Sequence, residues 1–310
     1  TCALPISFEI SGEDITINFD NVLFDQNVGS LNIYPSGNIN INQSTFTGNS
    51  STWRGGALRF DGNDYTVTID SSVFENNQTS MTETGGGALS IENPSTTTIS
   101  NSSFVNNSAL IEGGAVFLNS GSVVTMTNTT FTGNTAQKAG AIYVEDGDLT
   151  LTDVTLTSNS SSYGGGGLRT RYATLSLTDV IFDQNSANSG PGGGLFLDGL
   201  GSDSDPVVVQ NCSFTGNFAA SDGSAINSAG QNLTIDGSIF SNNVTEGGGA
   251  IASVIVGFTM TNTLMRRPVR GSVLEPTDFF GDFDRMLAGF LRPLGASSGA
   301  SGDRKSTRLN

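Results

Sequence analysis

Phe104-Val105-Asn106-Asn107-Ser108-Ala109-Leu110-Ile111-Glu112-Gly113-Gly114-Ala115-Val116 decides the fold, because its two ends recur along the chain. An aromatic or aliphatic residue three before an asparagine appears at Phe24, Phe46, Phe74, Phe104, Phe131, Leu156, Phe182, Phe214 and Phe240. Phe24 to Phe240 spans 216 residues in eight steps, 27 per step on average. Between successive members lies a triplet of small residues, such as Gly55-Gly56-Ala57, Gly86-Gly87-Ala88, Gly165-Gly166-Gly167 and Gly248-Gly249-Ala250; only the first repeat lacks it. A period of this length with alternating apolar residues marks a solenoid, in which each unit buries its apolar face on its neighbours. The expected fold is all-β: a right-handed, single-stranded parallel β-helix of about nine coils.

Each repeat reads as three short strands wound into a coil. After the glycines, Leu58, Leu89, Val116, Ile142, Leu168, Leu195, Ile226 and Ile251 form one inward column. A second strand points pairs inward, from Val67/Ile69 through Val124/Met126 to Leu233/Ile235. The Phe begins the third. Coils stack at the spacing of hydrogen-bonded strands, ~4.8 Å, so nine make a rod roughly 43 Å long with like side chains in ladders. Stacked Phe rings then fill a narrow core. The Asn is placed to bond its neighbours above and below at a turn. A polar column of Asn21, Gln43, Ser71, Asn101, Asn128, Asp153, Asp179, Asn211 and Asn262 marks another corner.

Charge divides the chain. The formal net charge is −16 with no histidine, which argues against a nucleic-acid surface, since phosphate binding needs clustered Lys and Arg. Up to Thr263 there are five basic residues against 24 acidic; from Leu264 onward there are eight against five. After Thr263 the expected Phe is replaced by Met265-Arg266-Arg267-Pro268. From Thr277 the spacing turns helical, with Phe279, Phe283, Met286 and Phe290 on one face, so a short helical or disordered tail is expected, the helix at about 277–291. Asp278 to Arg285 also resembles the N-terminal arm of small heat-shock proteins. Asp303 to Asn310 can be encoded by a DNA string whose reverse complement encodes Thr1 to Ile6, the pattern of a short-read sequencing adapter. The expected organisation is therefore 1–6 adapter-like, 7–263 β-helix, 264–302 a non-repeat, chimeric tail and 303–310 adapter-like. No apolar run reaches the ~20 residues of a membrane-spanning helix. With Cys2 set aside, Cys212 stands alone in an inward column with Val180 and Ser238, a small buried filler.

The recurring Gly-Gly-Ala-Ile and Phe-x-x-Asn signals resemble those of the polymorphic outer-membrane-protein repeats, and the architecture resembles that of pectin and pectate lyases. The first resemblance implies a secreted or cell-surface passenger segment, extracellular or on the outer cell surface, acting as an adhesin or scaffold for carbohydrate or a host-cell protein. The second implies the alternative, a polysaccharide-active lyase or glycoside hydrolase.

Three candidate sites follow. Asp61, Glu92 and Glu145, with Asn119, Arg171 and Asp198 in the same column, end the first strand on successive coils. Stacked carboxylates are calcium-ligand chemistry, although Arg171 makes an ion-pair ladder an equal reading, and no other cofactor is expected. Asp198 with Asp203 and Asp205, in the insertion from Gly199 to Pro206, offers an acid/base set, or a solvated acidic loop. Phe117, Tyr143, Arg169 and Phe196 occupy outward positions on consecutive coils. They form either an exposed stripe for a sugar ring or partner, or a row covered by a loop. No catalytic set is complete, so a non-catalytic role is favoured.

Overall fold

The computed structural model describes residues 8–93, 95–119, 121–199, 207–254 and 258–266. Every strand pairing among them is parallel and joins a residue to its counterpart one repeat later; Val116, Phe117, Leu118 and Asn119 pair with Ile142, Tyr143, Val144 and Glu145. The chain is a parallel β-helix, as the period requires. One coil shows the plan: Val116–Asn119, Val123–Thr127, Thr130–Thr132 and Thr135–Ala136. The first two strands of each coil build one 18-stranded sheet, fused because Phe8–Asp20 and Leu31–Asn42 each run through both positions. The third strands build a ten-stranded sheet and the fourth an eight-stranded one. The two-residue fourth strand was not foreseen. It follows the ladder asparagine, and two residues carry no readable alternation.

The inward columns are where the sequence put them. Leu58, Leu89, Val116, Ile142, Leu168, Leu195 and Ile226 are wholly buried and Ile251 nearly so. The Phe rings stack with centroids 4.6–5.0 Å apart and planes within 7°, interrupted only by Leu156. That spacing is the strand separation itself and lies in the offset-stacked range.

Asparagine closes the turn beside the Phe sheet. Asn134 Nδ2 donates to the Phe104 carbonyl one coil back at 3.0 Å and to Asn159 Oδ1 one coil on at 2.9 Å. Its own Oδ1 accepts the Asn107 N–H at 2.9 Å and Asn107 Nδ2 at 3.1 Å. The same linkage runs unbroken from Asn27 to Asn243. It satisfies buried polar groups that a turn would otherwise leave without partners. At the opposite corner all nine residues of the polar column have φ between 47° and 55°. This left-handed conformation is one that Asn and Asp tolerate better than other side chains, which accounts for the composition of the column.

The repeat continues beyond the boundary expected at Thr263. Leu264–Arg266 pairs with Ile239–Ser241, and Met265 takes the register position of the Phe opposite Phe240. Pro268 stands where the motif would place its asparagine, but the flexible Met265 side chain packs against the core. The expected helix at 277–291 and both adapter-like ends lie outside the described residues. Among the described residues no helix is long and apolar enough to cross a membrane.

Candidate functional site

The outward positions of the first strand are in the expected register: Phe117 pairs with Tyr143, Tyr143 with Arg169 and Arg169 with Phe196. They are not an exposed stripe. Phe117 and Tyr143 are fully buried and Phe196 is 8% exposed. Phe117 and Tyr143 lie outside the coil in a small second cluster with Ala139, on the turn that leads from the fourth strand into the small-residue triplet. Over Arg169 and Phe196 the close cover depends on glycines. A Cβ on Gly165 would stand 2.6 Å from Arg169 Cβ, and one on Gly192 would stand 2.6 Å from Phe196 Cβ. At those two positions the bare backbone folds down on the outward side chain four residues later; above Tyr143 the same place is taken by Ala139, at φ 58°. That four-residue offset was the available signal in the sequence.

Charged side chains share the covered layer. The Arg54 guanidinium lies 5.8 Å from the Phe117 ring centre and bonds Glu92 at 2.5 Å. Arg169 stacks 4.7 Å from Phe196 and pairs with Asp198. Glu112 is buried beside Lys138 at 2.8 Å. Burial pushes the Glu112 carboxyl above its ordinary range, outweighing the Lys138 hydrogen bond and charge. Desolvation, with the nearby charges of Glu112 and Glu145, likewise raises the Tyr143 hydroxyl.

The acidic column also forms in register, Asp61 against Glu92, and Asn119, Glu145, Arg171 and Asp198 in succession. Its carboxylates are engaged by arginines. Arg59 bonds Asp61 at 2.5 Å and Glu92 at 2.9 Å, and Arg171 bonds Glu145 at 3.2 Å. Burial opposes the charge on Glu92, but the Arg59 hydrogen bond and the charges of Arg54 and Arg59 overcome it and hold the carboxyl below its ordinary value. Among the described residues no three His, Cys, Asp or Glu side chains converge on a metal position. Of the alternatives for this column, the ion-pair ladder is the arrangement present. Asp198 is taken up by Arg169, while Asp203 and Asp205 lie outside the described residues.

The aromatic surface lies elsewhere, on the flank made by the turns themselves. Trp53, the single tryptophan of the chain, is 63% exposed, and Tyr163 in the corresponding turn four coils on is 55% exposed. Beside Trp53 opens a cleft of about 490 Å³ reaching from Val28 and Asn32 to Gln78 and Ser80. Trp53 and Tyr163 stand at matching turn positions, four residues after Asn49 and Asn159, but the coils between them carry no aromatic there, so no repeated column marks them.

A profile of the right-handed beta helix region matches residues 7–151 and 88–264. The chain belongs to the right-handed β-helix family. That membership supplies the handedness of the coil. No curated protein and no solved structure matches the chain. Within the β-helix, Cys212 is the buried filler its column implied: its Sγ donates to the Gln210 carbonyl at 3.2 Å, and desolvation pushes the thiol up to about 12. Its neighbours in register make a second ladder that the sequence reading did not resolve. Ser44, Ser72 and Ser102 each accept the preceding coil's backbone N–H at 3.1 Å, and Ser238 does so from Cys212 at 3.0 Å.

Proposed function

We propose that this β-helix is a non-catalytic binding scaffold, part of a secreted or cell-surface protein, whose recognition surface is the turn flank. The carrying observation is a redistribution of aromatic and charged groups. The strand-borne aromatics Phe117 and Tyr143 are spent on packing and the candidate carboxylates on arginines. Trp53 and Tyr163 on the flank stay open to solvent. Exposed aromatics on loops held by a rigid repeat are where binding chemistry belongs. The Gly-Gly-Ala-Ile and Phe-x-x-Asn resemblance to surface-displayed repeats supports the same placement.

The test is a glycan array and a cell-binding assay with the whole chain. Saturable binding that is lost in a Trp53→Ala, Tyr163→Ala double variant is expected. Release of new reducing or unsaturated ends from acidic polysaccharides, with or without calcium, would replace this reading with the enzymatic one.

A further inference from the structure

The cleft beside Trp53 has a lining that specifies its ligand. Val28 and Trp53, 47% and 63% exposed, supply an apolar wall and a ring face. Of the polar residues lining the rest, Ser30, Ser51 and Thr79 use their hydroxyls within the protein, whereas Ser50, Thr52 and Gln78 make no side-chain hydrogen bond among the described residues. No charged side chain borders it, although the chain carries 42 charged residues, 13 basic and 29 acidic. Its size falls within the ~300–1,000 Å³ of ligand pockets.

The platform is built rather than draped. The Trp53 backbone N–H donates to Ser51 Oγ at 3.0 Å, and the Thr79 hydroxyl donates to the Trp53 carbonyl at 2.5 Å. The next residue, Arg54, turns the other way and is anchored on Glu92 and Phe117. Neighbours of opposite fate thus fix the loop on both sides while the indole faces water. A large apolar ring is thus held in solvent on a backbone fixed at both its N–H and its carbonyl, which is preorganisation of the loop for a ligand.

We propose that this cleft is a binding subsite for a neutral saccharide. A pyranose ring has an apolar C–H face that packs on the electron-rich face of an indole, and a rim of hydroxyls that requires uncharged donors and acceptors. Amide and hydroxyl side chains beside an exposed Trp meet both requirements. An anionic sugar would find no cation there, and a purely apolar ligand would leave the amide and hydroxyls without partners. The inference rests on the scaffold reading above and narrows it to one place and one ligand class.

Because Trp53 is the only tryptophan, its emission reports this cleft alone. The 310-residue chain is titrated with cellohexaose, xylohexaose and chitohexaose, with hexagalacturonate as the charged control. At least one neutral probe is expected to give a saturable blue shift, and hexagalacturonate none. Calorimetry on Trp53→Ala is expected to show binding weakened by about tenfold or more, as for an aromatic anchor, with Gln78→Ala a smaller loss. Unchanged circular dichroism would show that the exposed substitutions leave the fold intact. A stronger response to hexagalacturonate, or silence of Trp53 with all three neutral probes, overturns the proposal. Array binding that survives Trp53→Ala sinks the cleft and leaves the scaffold standing; no array binding by the unsubstituted chain removes both.

Discussion

Asn134→Ala strikes the element that holds the coils in register, and its cost can be worked bond by bond. The substitution deletes both bonds of Nδ2, to Phe104 O and Asn159 Oδ1, and both bonds accepted by Oδ1, from Asn107 N and Nδ2. Asn107 Nδ2 keeps the Phe74 carbonyl at 2.9 Å, and Asn159 Oδ1 keeps the Asn134 N–H at 2.9 Å. The Asn107 N–H is left with no acceptor in a wholly buried site. One orphaned donor costs about 1–3 kcal/mol, and the three partial losses and the vacated volume bring the total to roughly 3–5 kcal/mol. Asn27 is the comparison. It is only half-buried at the first rung and bonds one neighbour, at 2.7 Å through Nδ2. Asn27→Ala should cost about 1 kcal/mol. Urea unfolding with linear extrapolation gives both numbers, provided the transition remains two-state. A solenoid is coupled by nearest neighbours. The loss at Asn134 should therefore reach the early coils, and the Trp53 emission transition should shift together with far-ultraviolet dichroism of the whole rod. Asn134→Asp adds a sign: it loses the donor and buries a carboxylate, so its deficit should shrink as the pH falls and the carboxyl is protonated. Equal costs at Asn134 and Asn27, or less than about 1 kcal/mol at Asn134, would refute the ladder as a source of stability.

The covered aromatic row gives a second expectation: Phe117→Ala should lower stability by about 3–5 kcal/mol like a core residue, as read by thermal melts, without affecting any glycan binding. Tyr143→Phe should be neutral or slightly stabilising in the same melts, because the buried hydroxyl has no partner among the described residues. Two buried glutamates should titrate with opposite signs. Glu92 is held below its ordinary 4.5, so its contribution is present above that pH and fades as the pH drops through the folded value; Glu92→Gln should flatten the acid limb of the stability curve. Glu112 is raised above 4.5, so its contribution is full below that pH and is lost as the pH rises through the folded value; Glu112→Gln should remove that decline. In a Cys2→Ser background, Cys212 should stay silent to a thiol-reactive dye at pH 8 until denaturant is added, since burial holds the thiol protonated.

The core was legible because it is written nine times. A column such as Leu58 to Ile251 is one structural position sampled on successive coils, so its apolar identity survives local noise. The asparagine ladder was legible for the same reason, in role as well as place. Exposure was not, and Phe117 shows why. Alternation assigns a side chain to the outer face of its strand, but not what the chain later lays on that face. The covering turn brings Ala139 onto Phe117 and Tyr143, and glycines with no Cβ onto Arg169 and Phe196, a tertiary consequence of a local signal. The acidic column erred in the other direction. Sequence register brought Glu92 to Asp61, yet the deciding partner, Arg59, sits two residues before Asp61 on the neighbouring side-chain column. Met265 escaped because the pattern also needs an asparagine three residues on, where Pro268 stands, while the core asks only for apolar volume.

Variation along the rod explains why recognition should sit on the turn flank. The third strand and its asparagine are tied to the coils above and below by Phe stacking and two amide bonds per step, so an insertion there would break both. Between ladder asparagine and glycine triplet the constraint relaxes. Asn77 and Gly86 are separated by eight residues, Asn107 and Gly113 by five, and Asn134 and Ala139 by four, while the backbone pairing on either side stays in register. Length can change there because the segment runs over the surface and closes a loop whose entropic cost grows slowly with length. Within these same turns one residue can face inward and the next outward, as Arg54 and Trp53 do. A β-helix can thus acquire a ligand subsite by altering one turn without disturbing the rungs, and a binding aromatic in such a turn would have no counterpart in neighbouring coils, as Trp53 has none.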